Sequence, residues 1–335
     1  METQELLEKF NIYMNYIKTF QNITKGDVNI AGGKGASLGE MTQAGIPVPP
    51  GFVVLASAFD RFLEETDLNV EIKARLKEVN IEDTNSIEKA SVVIRDTIHD
   101  YKMPEDLQKE ILKSFDNLNA DFVAVRSSAT AEDSSVASWA GELETYLNTT
   151  REQVIEKVKQ CWSSLFTPRA IFYRHEKNLI DHDVSVAVVV QKMVQSSVSG
   201  IAFTVHPVTE DRDQMIIEAG YGLGEAIVSG QITPDSYVVS KSEMSILDIN
   251  VGHQTRRLQR ATNNEQQTDE GQNQWVETGL EGEKQKLTGK QIMQVAEMCK
   301  KIEAHYGFPC DIEWAMDEKG ELFITQSRPI TTLKM

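Results

Sequence analysis

The run VSVAVVVQKMV at residues 184–194 constrains the fold more than any other stretch of this chain. It is nearly continuous in β-branched side chains, the pattern of a strand buried on both faces. Around it the sequence supplies further layers. Residues 53–118 read mainly as helix, with Ile87, Ala90 and Ile94 at helical spacing. FVAVRSSA (122–129) is a short β-rich run ending in small polar residues, and 151–177 return to helix. Residues 200–206 and 214–219 read as further strands. Thr288 is placed to cap a helix over 289–306, whose inner face carries Ile292, Val295, Ala296, Cys299 and Ile302 and which Gly307 stops. The polar tract 259–275 reads as an exposed loop or hairpin tip. DIEWAMDEKGELFITQSRP closes the chain as strand, turn and strand. Strands and helices in this uneven order give an α+β fold in two lobes, expected at 15–190 and 191–335. An N-terminal extension covers 1–14, with Leu6, Leu7, Phe10 and Met14 as one stripe of a short helix or Met14 as the natural start.

Chain length and apolar content permit that much core: 335 residues at 40% hydrophobic suffice for one large domain or two lobes. The formal net charge of -17 repels phosphate backbones and argues against nucleic acid as partner. It does not argue against a nucleotide, since a local cluster of Lys and Arg with a divalent cation overrides the global field. No apolar run reaches the length of a membrane span. Cys161, Cys299 and Cys310 lack metal-ligand spacing and fit a reduced, cytoplasmic protein.

The closing hairpin has the most arguable geometry. With DEKG (317–320) as an even-length turn, Met316 pairs with Glu321 and Asp311 lies opposite Gln326. Side chains alternate along a strand, so Asp311, Glu313, Gln326 and Arg328 then share one face. Ile312, Trp314, Met316 and Phe323 take the other, which suits a core. Carboxylate and carbonyl oxygens are what Mg²⁺ takes, and a guanidinium is what a polyphosphate takes. A solvated hairpin with a Glu313–Arg328 ion pair fits the same pattern. A loop one residue longer or shorter would flip the register.

Four other constellations carry chemistry. In AGGKGASLGEM, glycines around Lys34 let the backbone approach a ligand while the lysine meets a phosphate. The spacing is not that of a P-loop, and a tight turn at a helix start is the plainer reading. VAVRSSATAED delivers Arg126 to a strand end among hydroxyls, suited to phosphate or to a structural ion pair. MIIEAGYGLGEAIVSG runs a strand into a glycine elbow, with Glu218 placed for a ribose hydroxyl, a metal or a cap. VVVQKMV is either a core strand or, as an apolar strand edge with free backbone groups, an adenine slot.

Together these motifs are specific. GGKGASLGEM, GIPVPPGF, VAVRSSATAED followed by AGELETYLN, VVVQKMV, SGIAFT, GYGLGEAIVSG, TPDSY, and DIEWA with ITQSRPITT resemble the N-terminal ATP-binding domain of the phosphoenolpyruvate synthase and pyruvate, phosphate dikinase family. The resemblance spans roughly residues 15–332. It implies an ATP-grasp fold holding ATP between two lobes. By position, Lys34 and Arg126 would contact ATP phosphates, and Gly141 and Thr145 would lie along the phosphate loop. Gln191, Lys192, Met193 and Val194 would take the adenine, and Glu218 would support the nucleotide. Glu313 and Gln326 would hold Mg²⁺, with Asp311 beside them and Arg328 on the transferred phosphate.

Two departures stand out. Family members often carry Gln where Glu142 stands. Full members also continue into a mobile histidine domain and an acceptor domain, whereas His99, His175, His182, His206, His253 and His305 lie in no carrier-like motif. The expectation is therefore the ATP-binding part of a dikinase-type phosphotransferase. A separate chain would bear the carrier histidine, and pyruvate, a phenol or another hydroxyl compound would be the final acceptor. A nucleotide-binding regulatory module without turnover is the alternative.

Overall fold

The computed structural model describes residues 15–130, 144–176, 185–261, 273–331 and 333. The expected extension 1–14, Gly141, Glu142 and His182 lie outside these, as do 262–272 of the polar tract.

The chain begins with β1 (Ile17–Thr19), α1 (Val28–Gln43) and β2 (Gly51–Val54). Then come α2 (Ala56–Glu65), α3 (Leu68–Lys77), α4 (Thr84–Asp100), α5 (Glu105–Asn117), β3 (Val123–Ala129) and β4 (Thr145–Thr149). Helices α6 (Val154–Ser163) and α7 (Pro168–Glu176) lead to β5 (Val186–Lys192). These strands form an antiparallel sheet in the order β1-β2-β5-β3-β4. The β-branched run is its middle strand and is buried on both faces. Val186, Val188 and Val190 join Phe59, Phe62, Ile94, Ile111 and Trp162 of the helices on one side. Ala187 and Val189 face α1 residues Ala31, Leu38 and Met41 on the other.

The remainder comprises β6 (Ser196–Phe203), β7 (Gln214–Tyr221), a single helical turn α8 (Glu225–Val228), β8 (Asp235–Ser240), β9 (Ser245–Asn250), β10 (Arg256–Arg260), β11 (Asn273–Glu277), α9 (Gly289–Tyr306), β12 (Cys310–Asp317) and β13 (Leu322–Pro329). A six-stranded antiparallel sheet runs β13-β12-β6-β7-β8-β9, and β10 and β11 form a separate ribbon. Helix α9 starts as expected: Thr288 Oγ1 accepts from Gln291 N–H, while Gln291 Oε1 accepts from Thr288 N–H at 2.9 Å, a reciprocal cap. Gly307, at φ 77°, ends it. Its apolar face covers Ile312, Trp314, Met316, Ile217 and Tyr237.

Helix α1 also packs against the second sheet. Ser37 Oγ donates to Ser327 O at 2.8 Å, and Ile324 N–H donates to Pro47 O at 2.9 Å. The base of the ribbon is held by Asp235 and Lys286, fully buried and 2.9 Å apart, with Gly252 N–H and Tyr237 Oη–H also donating to Asp235. All three cysteines are buried and free. No helix among the described residues is long and apolar enough to cross a membrane.

Candidate nucleotide site

The β12–β13 hairpin reaches its expected face by a different register. Asp317, whose side chain accepts N–H bonds from Lys319 and Glu321, closes a loop that ends at Gly320 with φ 79°. Five residues, 317–321, thus separate the paired positions where the even turn would have four, and Met316 pairs with Leu322, not Glu321. Alone, that slip would turn Gln326 and Arg328 away. A bulge at Thr325 adds a second slip that restores the alternation. Asp311 therefore faces Arg328, not Gln326, and Glu313 faces Gln326. Phe323 leaves the core side, which Leu322 and Ile324 complete instead. The four polar residues still share one face.

That face continues across the sheet. Glu313 lies beside Ile201, which lies beside Glu218; Asp311 lies beside Phe203. Arg328 pairs with Asp311 at 2.8 Å. Burial raises the Asp311 carboxyl above its ordinary range, and Arg328 only partly offsets this. Burial also raises Glu218, and the charge of Asp311 adds to it.

Arg126 reaches this face from the first sheet. It stands on β3 opposite Thr145, which is exposed on β4. Its Nη2 donates to Glu313 Oε2 at 3.0 Å and to Gln326 Oε1 at 2.6 Å. Its Nη1 donates to Thr325 O at 2.9 Å, so the bulge that realigns Gln326 also presents the carbonyl. Two residues on, Ser128 Oγ–H donates to Ala31 O at 3.0 Å and accepts from Gly35 N–H at 3.3 Å. The glycine turn before Lys34 is thereby pinned to the end of β3. The turn is a kink inside α1, where Gly32 adopts φ 69°, ψ 170°. A Cβ at Gly32 would overlap the Oγ and carbonyl of Ser128.

The segment expected to take adenine divides. β5 is an interior strand, hydrogen-bonded on both sides, so its backbone groups are spent as far as Lys192. Gln191 is buried, and Lys192 Nζ donates to Asn119 O at 3.2 Å. The physical reason is that an all-apolar run is driven to the middle of a sheet, not to its edge. Past the strand, Met193 N–H donates to Phe122 O, and its side chain joins an apolar cluster with Leu147, Leu223, Leu258 and Trp275. Half-buried Val194 follows. Of the four, Met193 borders an apolar surface suited to a flat ring.

Leu258 and Trp275 belong to the β10–β11 ribbon, an antiparallel pair that fits the hairpin alternative for the polar tract and extends it into paired strands at both ends. Leu258 and Trp275, apolar residues bracketing a polar tract, were the available clue. Asn273 accepts from Asn148 Nδ2 at 2.6 Å, and the Arg260 guanidinium lies 4.6 Å from the Phe122 ring centroid. The ribbon of the second sheet so reaches over to the first.

The donor set fits a hard dication shared with phosphate. Glu313 and Gln326 bring carboxylate and amide oxygens side by side, and Mg²⁺ commonly takes one or two carboxylates, with substrate phosphate completing its shell. Among the described residues, no group of three or more His, Cys, Asp or Glu could hold a metal alone. Arg126 and Arg328 supply positive charge to this face.

Comparison with known proteins follows the same line. The profile of "Pyruvate phosphate dikinase, AMP/ATP-binding domain" matches residues 28–335. A "Probable phosphoenolpyruvate synthase" of Archaeoglobus fulgidus is 46% identical over 320 residues, 93% of this chain and 41% of that protein. Proteins of the same description from Methanothermobacter thermautotrophicus and Methanocaldococcus jannaschii are each 44% identical over 96% of this chain, and 46% and 27% of their own lengths. The chain thus spans less than half of these relatives. Among solved structures, D-alanyl-alanine synthetase A from Vibrio cholerae overlaps slightly, at TM-score 0.29 and 11% identity over 72% of this chain and 54% of that one. The fold is a mixed α+β one, and the chain belongs to the pyruvate phosphate dikinase AMP/ATP-binding domain family.

Proposed function

We propose that this chain binds MgATP between lobes 15–190 and 191–335 and takes part in splitting it to AMP, one phosphoryl group passing to a carrier histidine lying outside its own residues and the other leaving as inorganic phosphate. The observation that carries the reading is the meeting of Arg126 with Glu313 and Gln326 across the two sheets. Bound Mg²⁺ would neutralise charge on the phosphates and would be held by Glu313 and Gln326. Arg126, Lys34 and Arg328 would orient the phosphates and meet the charge that develops in transfer, and Thr145 would line their path. Glu218 would hold a ribose hydroxyl, and Met193 and Val194 would border the adenine.

Three of the chain's described histidines are held by neighbours and make poor carriers. His206 Nδ1 accepts N–H bonds from Val208 and Thr209, His99 bonds Ser163, and His305 pairs with Glu40. A carrier imidazole must visit the phosphate and leave again. The relatives' descriptions favour pyruvate as the final acceptor, and a cytoplasmic location suits that role. The test is incubation of the pure chain with ATP labelled at the β-phosphate. The expected result is no acid-labile, alkali-stable label and little AMP, with AMP formation restored by adding a separate chain that bears the histidine domain. Such label on this chain alone would overturn the external carrier.

A further inference from the structure

Arg126 occupies the position where a dication would be most at home. Three acceptors from two strands of the second sheet, Glu313 Oε2, Gln326 Oε1 and Thr325 O, converge on this one guanidinium. Its side chain is only 10% exposed. Nη2 contacts both oxygens that a metal would bridge, so a cation using the same pair would share their lone pairs with a like-charged neighbour. The guanidinium also gives the half-closed Glu313 carboxylate a partner, since a buried carboxylate left unpaired is costly.

We propose that Arg126 is a resident counter-ion that keeps divalent cations off Glu313 and Gln326 until nucleotide arrives. The inference rests on the nucleotide-site reading above. A triphosphate offers the guanidinium planar, bidentate oxygen acceptors of higher charge than one carboxylate and one amide. Arg126 moves to the phosphates, and the two side chains it releases are then free for the metal that the nucleotide brings. Metal enters with the nucleotide, not before it, and the cleft does not fill with free Mg²⁺ when ATP is scarce.

The test uses Mn²⁺ alone as probe, followed by the paramagnetic signal of the unbound ion, with no nucleotide present. Wild type should take up Mn²⁺ weakly. Arg126→Met should bind it about tenfold or more tightly, the scale of losing one charge-assisted contact to each oxygen. Adding Glu313→Gln to that variant should abolish the gain. Arg328→Gln removes an equal charge from Asp311 and should gain much less. If Arg126→Met does not fold, Arg126→Lys decides, because it retains a cation but loses the fork; a gain of about threefold is expected. No gain in the Arg126 variants, or an equal gain in Arg328→Gln, would overturn the proposal while leaving the nucleotide site standing. Failure of MgATP to stabilise the wild-type chain would remove both.

Discussion

Gly32 and Gly45 make a matched pair for testing how the Lys34 turn is built. Both have positive φ, 69° and 68°. A Cβ at Gly45 meets nothing within 4 Å, whereas one at Gly32 overlaps Ser128. Gly45→Ala therefore carries only the backbone term, about 1 kcal/mol for a left-handed L-residue. Gly32 also has ψ 170°, a region open essentially to glycine alone, which costs about 1–3 kcal/mol. Relief of the overlap requires the turn to lift from β3, breaking both Ser128 hydrogen bonds at about 1 kcal/mol each. Gly32→Ala should thus lose about 3–5 kcal/mol in urea unfolding at unchanged slope, and weaken MgATP binding by calorimetry. Gly45→Ala should bind as wild type. Equal stability losses in the two variants, or unaltered binding in Gly32→Ala, would refute the pinned turn.

Arg328→Ala, at a 53% exposed side chain, should leave thermal stability close to wild type, whereas Glu313→Ala removes the partner of the nearly buried Arg126 and should lower it; both should cut phosphoryl transfer by orders of magnitude in the assembled system, read from steady-state AMP formation. Glu218 is raised by burial and by Asp311, so the folded chain holds its proton more tightly than the unfolded one. The stability this confers is present below the ordinary value of 4.5 and is lost as pH rises through the raised value. Glu218→Gln should accordingly match wild type in acid and exceed it increasingly toward neutrality in urea midpoints. Lys286→Met strands the fully buried Asp235 and should cost about 3–5 kcal/mol by urea unfolding.

Periodicity made the elements legible wherever burial is one-sided or complete. The α9 stripe with its Thr288 and Gly307 ends, and the doubly buried β5, followed from local pattern. Pattern also placed Asp311, Glu313, Gln326 and Arg328 on one face, though the register behind it was wrong twice. The Asp317 loop and the Thr325 bulge each shift by one residue, and only their sum preserves parity. Nothing local in the sequence announces that bulge; the carbonyl it presents accepts from Arg126, about two hundred residues away. Which strands flank β5 was hidden for the same reason, although its doubly buried character was not. A strand's neighbours are set by tertiary pairing, and Gly51 and Ala124 on either side of Gln191 are distant in sequence.

The most direct measurement is the melting temperature of the chain across a MgATP titration. Nucleotide that binds only the folded state adds about 2.7 kcal/mol at a hundred times its dissociation constant. The account predicts a clear rise with millimolar MgATP, a smaller one with MgGTP, and little response to MgATP in the double variant Glu313→Gln/Gln326→Leu. No rise in the wild type, or the same rise in the double variant, would contradict a nucleotide site built on Arg126, Glu313 and Gln326.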